Sequence, residues 1–247
     1  MIRVIDLSKS FGALRAVNHL SFEAMPNCIT SIIGPNGAGK STAFNLIAGT
    51  LRPDSGRVEL EGHDVTGEPA YRLAKLGVAR SFQITNLFFG LSVLENVRFA
   101  CQSLESRNRF LTRLDRLSAP VRRATEILEE FGLDESADQL VGNLSHGDQR
   151  RVEIAICMAL TPRVLMLDEP TQGMSPAETA EIDTLIKSLA GRVTVLLIEH
   201  DIDLVMNISD HVIVMHQGRK LFEGPPNEVR ASPAVREAYL GAEHAAA

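Results

Sequence analysis

Several stretches of this chain are apolar at almost every position and only strand-length: Cys28–Gly34, Val164–Asp168, Val193–Glu199 and His211–His216. A strand without polar alternation is one covered on both faces, which is the habit of parallel sheets packed between helices. Ile2–Leu7, Ala16–Ala24, Arg57–Glu61 and Val78–Gln83 read as further strands. Helical patterns separate them, from Lys40 to about Gly49, near Pro69–Leu76, over Pro176–Ala190 and over Asp201–Ile208. Strand and helix in alternation predict a parallel sheet wrapped by helices. Pro53-Asp54-Ser55-Gly56 is a type I turn pattern, and Gln217-Gly218-Arg219 reads as a hairpin-like turn before two short C-terminal helices.

The pattern changes character after Gln83. From Ser92 to about Leu160 it is mostly helical, with Val93, Val97 and Ala100 near helical spacing. These observations predict one α/β domain whose core occupies about 1–83 and 161–241. A helical lobe at about 84–160 interrupts that core in sequence.

Composition narrows the function. The 247 residues suffice for a full core, and a net charge of −6 argues against a general nucleic-acid binder. Cys28, Cys101 and Cys157 form no CxxC pair and have no His cluster beside them, so reduced thiols are expected rather than a metal site. No run reaches the roughly 18 apolar residues that span a bilayer. The first residues, MIRVIDLSKSFG, lack the apolar core of a signal peptide. A soluble chain is expected, with any membrane role exercised through partners. Between Ser103 and Glu126 six arginines, including Arg107, Arg109, Arg113 and Arg116, stand against three acids. The run fits a solvated surface or a contact with anionic lipid or a partner's loop.

Three segments carry chemistry. Gly34-Pro35-Asn36-Gly37-Ala38-Gly39-Lys40-Ser41-Thr42 fits GxxxxGK[ST] between a buried strand and a helix. Its glycines let successive N–H groups curl around phosphate, and the helix N-terminus adds a favourable field. Lys40 supplies a point charge to the β- and γ-phosphates, and the Ser41 hydroxyl can ligate Mg²⁺. The strand Val164–Leu167 ends in Asp168 and Glu169. An Asp there can orient the Mg²⁺ hydration shell, and the Glu can take a proton from the attacking water. Taken alone the pair would also suit a strand-end N-cap. Leu144-Ser145-His146-Gly147-Asp148-Gln149-Arg150-Arg151 opens a helix, with Ser145 as its natural N-cap; free N–H groups there make an anion site.

In their order along the chain, these segments together with Gln83 and His200 resemble the ATPases of ABC transporters, from about Ile2 to Gly241. That resemblance implies a P-loop NTPase core with a parallel sheet, an N-terminal antiparallel β portion and an inserted α-helical lobe. It implies ATP and Mg²⁺ as cofactors, with Ser41, Asp168 and Gln83 on the metal, partly through water. It gives His200 the γ-phosphate and the water, and gives Phe11 and Val17 the adenine, with core packing as the alternative for the last two. Ser145, His146, Gly147 and Asp148 would close over ATP held by a second ATPase subunit, identical or not, with Gly173-Met174-Ser175-Pro176 crossing between them. The other implied partners are integral-membrane permease subunits and, indirectly, a substrate-binding protein; no nucleic acid is implied. The implied location is cytoplasmic, on the inner face of the cell membrane.

Three positions depart from the family pattern. His146 replaces the second signature residue, usually Gly, Asp148 replaces the usual Gln, and Phe11 stands where Tyr is commonest. Stacking survives the last change, whereas Asp148 adds negative charge near ATP that Arg150, Arg151 or the helix N-terminus must offset. Within the family, Ala79–Gln83 with Leu94-Glu95-Asn96-Val97, Ser145–Ala155, and Glu237-Ala238-Tyr239-Leu240-Gly241 look like the branched-chain amino-acid importer ATPases. Urea and short-amide importer ATPases look nearly the same and are the alternative. A soluble ABC ATPase acting on DNA or ribosomes is disfavoured by the single cassette, and a non-catalytic binder by the presence of Glu169 and His200.

Overall fold

The computed structural model describes residues 1–81, 87–103 and 118–244, and the side chains of that range except at 118 and 240–244. Ten strands among them form two sheets. The first is antiparallel, built from β1 (Ile2–Phe11), β2 (Leu14–Ala24), β4 (Ser55–Leu60) and the short β5 (His63–Asp64) in the order β2-β1-β4-β5. The second has the order β10-β9-β3-β8-β7-β6, from β3 (Ile29–Ile33), β6 (Val78–Arg80), β7 (Val164–Asp168), β8 (Thr194–Ile198), β9 (His211–His216) and β10 (Arg219–Gly224). Its strands are parallel except β10, which returns antiparallel to β9 at the edge.

Every residue of β3, β7 and β8 is buried, and the two-residue period divides them between two cores. Leu165, Leu167, Val195, Leu197, Val212 and Val214 face one core; Val164, Met166, Leu196, Ile198, Ile213 and Met215 face the other. The second core is closed by the antiparallel sheet and by α1 (Lys40–Ile47), whose Phe44 is fully buried. The first is closed by helices. They include α3 (Val93–Ser103), α4 (Ser118–Glu130), α5 (His146–Ala159) and α6 (Pro176–Leu189). The helix α2 (Ala70–Lys75) precedes β6, α7 (Ile202–Ile208) joins β8 to β9, and α8 (Pro226–Ala231) and α9 (Pro233–His244) end the described chain.

The elements follow the sequence pattern closely, with one instructive difference. β1 and β2 run past the expected Ile2–Leu7 and Ala16–Ala24 to meet at a tight turn after Phe11. Asp6 and His19 both take left-handed backbone angles (φ 52° and 54°), and the pairing register shifts three times between Val4 and Ser10. Such bulges break the alternation by which a strand is recognised. Asn96 closes the turn before α3, where its side chain accepts from the Phe88 N–H at 2.9 Å and donates to the Phe88 and Ser92 carbonyls. Of the arginine-rich run, 104–117 lies outside the described residues; Arg123 pairs with Glu126 on an exposed face of α4. No helix among the described residues is long and apolar enough to cross a membrane.

Candidate active site

The loop between β3 and α1 leaves the centre of the parallel sheet, where β9 and β8 flank β3. Its shape depends on glycine. Gly37 and Gly39 take φ 80° and 98°, and a Cβ on Gly39 would lie 2.2 Å from the Ala16 carbonyl oxygen. A side chain at Gly39 would therefore push the loop off β2 as well as strain its backbone. The hairpin between β9 and β10 clamps the same place, with the Gly218 N–H donating to Ala38 and the Asn18 N–H donating to Gly218.

A cavity of about 460 Å³ opens over this loop. Asn36, Gly37, Ala38, Gly39, Lys40, Ser41 and Thr42 line one side, and Glu169 reaches it from the end of β7. Lys40 is buried, and its Nζ donates to the Gly34 and Pro35 carbonyls at 2.7 and 3.2 Å. Burial lowers the pKa of its ammonium, and the Glu169 carboxylate opposes that shift. A phosphate oxygen in the loop offers Nζ a fully charged acceptor in place of two carbonyls, so a phosphate-bearing ligand is what the pocket fits. Leu14, Arg15, Ala16, Gln217 and Gly218 complete the lining. The sequence marked Gln217 and Gly218 only as a turn and gave none of the five a role in the site; the β2 and β9–β10 packing brings them in.

Asp168 ends β7 with its side chain only 2% exposed. Its Oδ2 accepts from Arg80 Nη2 at 3.0 Å, whereas Oδ1 is buried without a hydrogen-bond partner among the described residues. An orphaned carboxylate oxygen and the exposed Ser41 hydroxyl at the head of α1 are hard oxygen donors suited to Mg²⁺ and its waters. Glu169 follows in a left-handed conformation (φ 46°), its N–H tied to the Ile198 carbonyl and its own carbonyl accepting from Arg150 of α5 at 3.4 Å. A strained non-glycine residue at a strand end is the kind of position that holds a functional side chain at a fixed angle.

His200 lies just past β8, its side chain 60% exposed and 3.6 Å from Glu199 through Nδ1. It does not line the cavity. Glu199 beside it is fully buried and accepts from the Thr171 N–H and hydroxyl at 3.0 and 2.7 Å, and from the His200 N–H at 3.2 Å. That residue, unmarked in the sequence, fastens the segment after Glu169 to the backbone that presents His200. Phe11 is half exposed at the β1–β2 turn and outside the cavity lining, with the Lys9 ammonium 5.7 Å from its ring centre. Val17 is fully buried in the core, so its side chain packs inward while Leu14, Arg15 and Ala16 face the cavity. Gln83 lies outside the described residues.

The Leu144–Arg151 segment is set apart from this cavity, and none of its residues lines it. Ser145 caps α5: its hydroxyl accepts from the Asp148 N–H at 3.1 Å and donates to the Asp148 carboxylate at 3.0 Å. The Gly147 N–H donates to Glu178 Oε1 at 3.1 Å, and a Cβ on Gly147 would come within 3.1 Å of that side chain. The other oxygen of Glu178 accepts from the N–H and hydroxyl of Ser175, completing a capping box at the start of α6. Hydrogen bonds from Ser175, and then from Gly147, hold the Glu178 carboxyl below its usual pKa. One carboxylate thus joins two helix starts, at Ser145–Gly147 and at Gly173–Pro176.

The far end of the chain also reaches the loop. Tyr239 of α9 packs against the core, and burial pushes its hydroxyl pKa up to about 12, a shift the Gly34 backbone opposes.

Comparison with known proteins agrees with this geometry. A family model described as ABC transporter matches residues 17–172. A second, described as branched-chain amino acid ATP-binding cassette transporter, matches residues 219–245. The chain is 42% identical over 250 aligned residues, covering 98% of each chain, to the high-affinity branched-chain amino acid transport ATP-binding protein BraF of Pseudomonas aeruginosa. Among solved structures it resembles the ADP conformation of an ATP-binding cassette of an ABC transporter, with a TM-score of 0.85, 31% identity and 98% of each chain covered. It also resembles a dimeric, post-hydrolysis cassette bound to ADP and Pi, with a TM-score of 0.75, 26% identity, and 92% and 99% of the two chains covered.

Proposed function

The chain belongs to the ABC transporter family of ATP-binding proteins, and we propose that it powers the uptake of branched-chain amino acids. It is an ATPase subunit of an ABC importer. The observation that carries the choice of cargo is the match over residues 219–245, because the phosphate loop and its acids are common to cassettes of many cargoes. That C-terminal segment includes β10, α8 and α9, and so the second strand of the hairpin that clamps the loop, together with Tyr239.

Within the reading proposed for the site, Lys40 and the N–H groups of Asn36–Thr42 hold the phosphates, and position rather than covalent chemistry does most of the work. Mg²⁺ bound with ATP would neutralise phosphate charge, held by Ser41 and, through water, by Asp168 and Gln83. Glu169 accepts the proton of the attacking water, and His200 orients that water and the γ-phosphate. Phe11 gives the adenine a flat face at the β1–β2 turn, with Val17 as its buried backing.

The separation of Ser145–Asp148 from the cavity of its own chain supports a shared site, in which these residues meet ATP on a second ATPase subunit. The helix start they form sets a favourable field for a phosphate, and the same field offsets Asp148. Permease subunits, an indirect substrate-binding protein and a place on the inner face of the membrane complete the proposal. The test is deletion of the gene followed by uptake of labelled leucine and labelled urea, measured separately. Lost leucine uptake with urea unchanged is the expected result. The reverse moves the cargo to urea or short amides, and no change in either removes the cargo assignment.

A further inference from the structure

We propose that Arg80 is a positioning residue for the metal-binding edge of the site, fixing the Asp168 carboxylate so that Oδ1 alone is left for Mg²⁺ and its waters. The inference rests on the reading in which Asp168 serves the metal. Arg80 ends β6, within the Ala79–Gln83 segment, and its side chain turns inward and is only 14% exposed.

Two elements, β7 and α1, meet on its guanidinium. Nη2 donates to Asp168 Oδ2 at 3.0 Å, at the end of β7, and Nη1 donates to Asn45 Oδ1 at 2.7 Å, on α1. The guanidinium carbon lies 5.0 Å from the ring centre of the fully buried Phe44, also on α1. Arginine's planar fork suits this geometry: two donors at a fixed angle and a face that stacks. The helix it grips is the one whose first turn carries Ser41. Arg80 therefore sets the carboxylate of β7 relative to α1, the element that presents the other oxygen donor.

A carboxylate this buried could otherwise turn either oxygen toward any donor. With Oδ2 engaged, the orphaned Oδ1 has one orientation. Removing the partner of a hydrogen-bonded carboxylate beside a metal usually lowers metal affinity by about 10- to 100-fold, because the ligand loses its orientation.

The measurement is the Mg²⁺ concentration that gives half-maximal ATPase activity in the complete transporter, with ATP binding to the purified chain measured in Mg²⁺ and in EDTA. Arg80→Met is expected to raise the Mg²⁺ requirement by about tenfold and to abolish the gain in ATP affinity that Mg²⁺ gives. Affinity in EDTA should stay within about twofold, because Lys40 and the loop amides are untouched. Arg80→Lys should recover part of the loss. Asn45→Ala, which keeps the ion pair and removes its outer anchor, should shift the Mg²⁺ requirement in the same direction by less. That variant decides the matter if Arg80→Met does not fold, and an unshifted requirement in it would then overturn the proposal. An unchanged or lowered requirement in folded Arg80→Met overturns it too, provided Asp168→Asn is shifted. If Asp168→Asn is itself unshifted, the metal role of Asp168 falls, and this proposal with it.

Discussion

Gly39 illustrates how tightly single positions are specified here. Its φ of 98° and the 2.2 Å approach of a notional Cβ to the Ala16 carbonyl leave alanine no strain-free place. Gly39→Ala should cost about 1–3 kcal/mol in backbone strain alone, before the clash is counted. Expected outcomes are a Tm lower by several degrees and ATP affinity reduced at least about tenfold, read by thermal melting and nucleotide titration. Unchanged affinity would show that the loop does not need this angle. Residues whose partners lie close in sequence were legible in advance: the loop Gly34–Thr42 and the pair Asp168-Glu169 are contiguous motifs. Arg80, Glu178 and Glu199 were not, since their partners lie 88, 31 and 28 residues away and only folding joins them. Arg15 on β2 and Gln217 in the β9–β10 turn escaped for the same reason, as lining residues remote in sequence from the loop.

At the scale of the element, α5 carries the sharpest expectation. Its N-terminus is capped by Ser145 and joined to α6 through Glu178, and it stands apart from its own chain's cavity. Ser145→Arg should block closure of a shared site, abolishing hydrolysis while leaving ATP affinity of the isolated subunit nearly intact. Nucleotide titration of the monomer checks it, and a large loss of affinity would place Ser145 in its own subunit's pocket. The elements themselves were largely readable because burial on both faces wrote continuous apolar runs into β3, β7, β8 and β9. β1 was read short because the register shifts between Leu7 and Ser10 interrupt the two-residue period on which strand reading depends. β5 is two residues long, which leaves no period to detect.

For the molecule as a whole, the strand order explains why dispersed motifs gather at one edge. β3, β8 and β7 are neighbours, so the loop after β3, the acids at the end of β7 and His200 past β8 all emerge at one edge of the sheet, the edge at which α/β sheets bind ligands. Sequence could supply the strands and their alternation, but not this order, nor the packing of a separate antiparallel sheet on α1. Those follow from crossovers and core shape rather than from any local pattern. If this shared edge hydrolyses ATP with water activated by Glu169, as proposed, one substitution tests it most directly. Glu169→Gln keeps the side chain's shape and removes the carboxylate that takes the proton, and the measurement is steady-state ATP hydrolysis and ATP binding by the complete transporter. Binding should persist while turnover falls by about a hundredfold or more; near-normal hydrolysis would contradict the account.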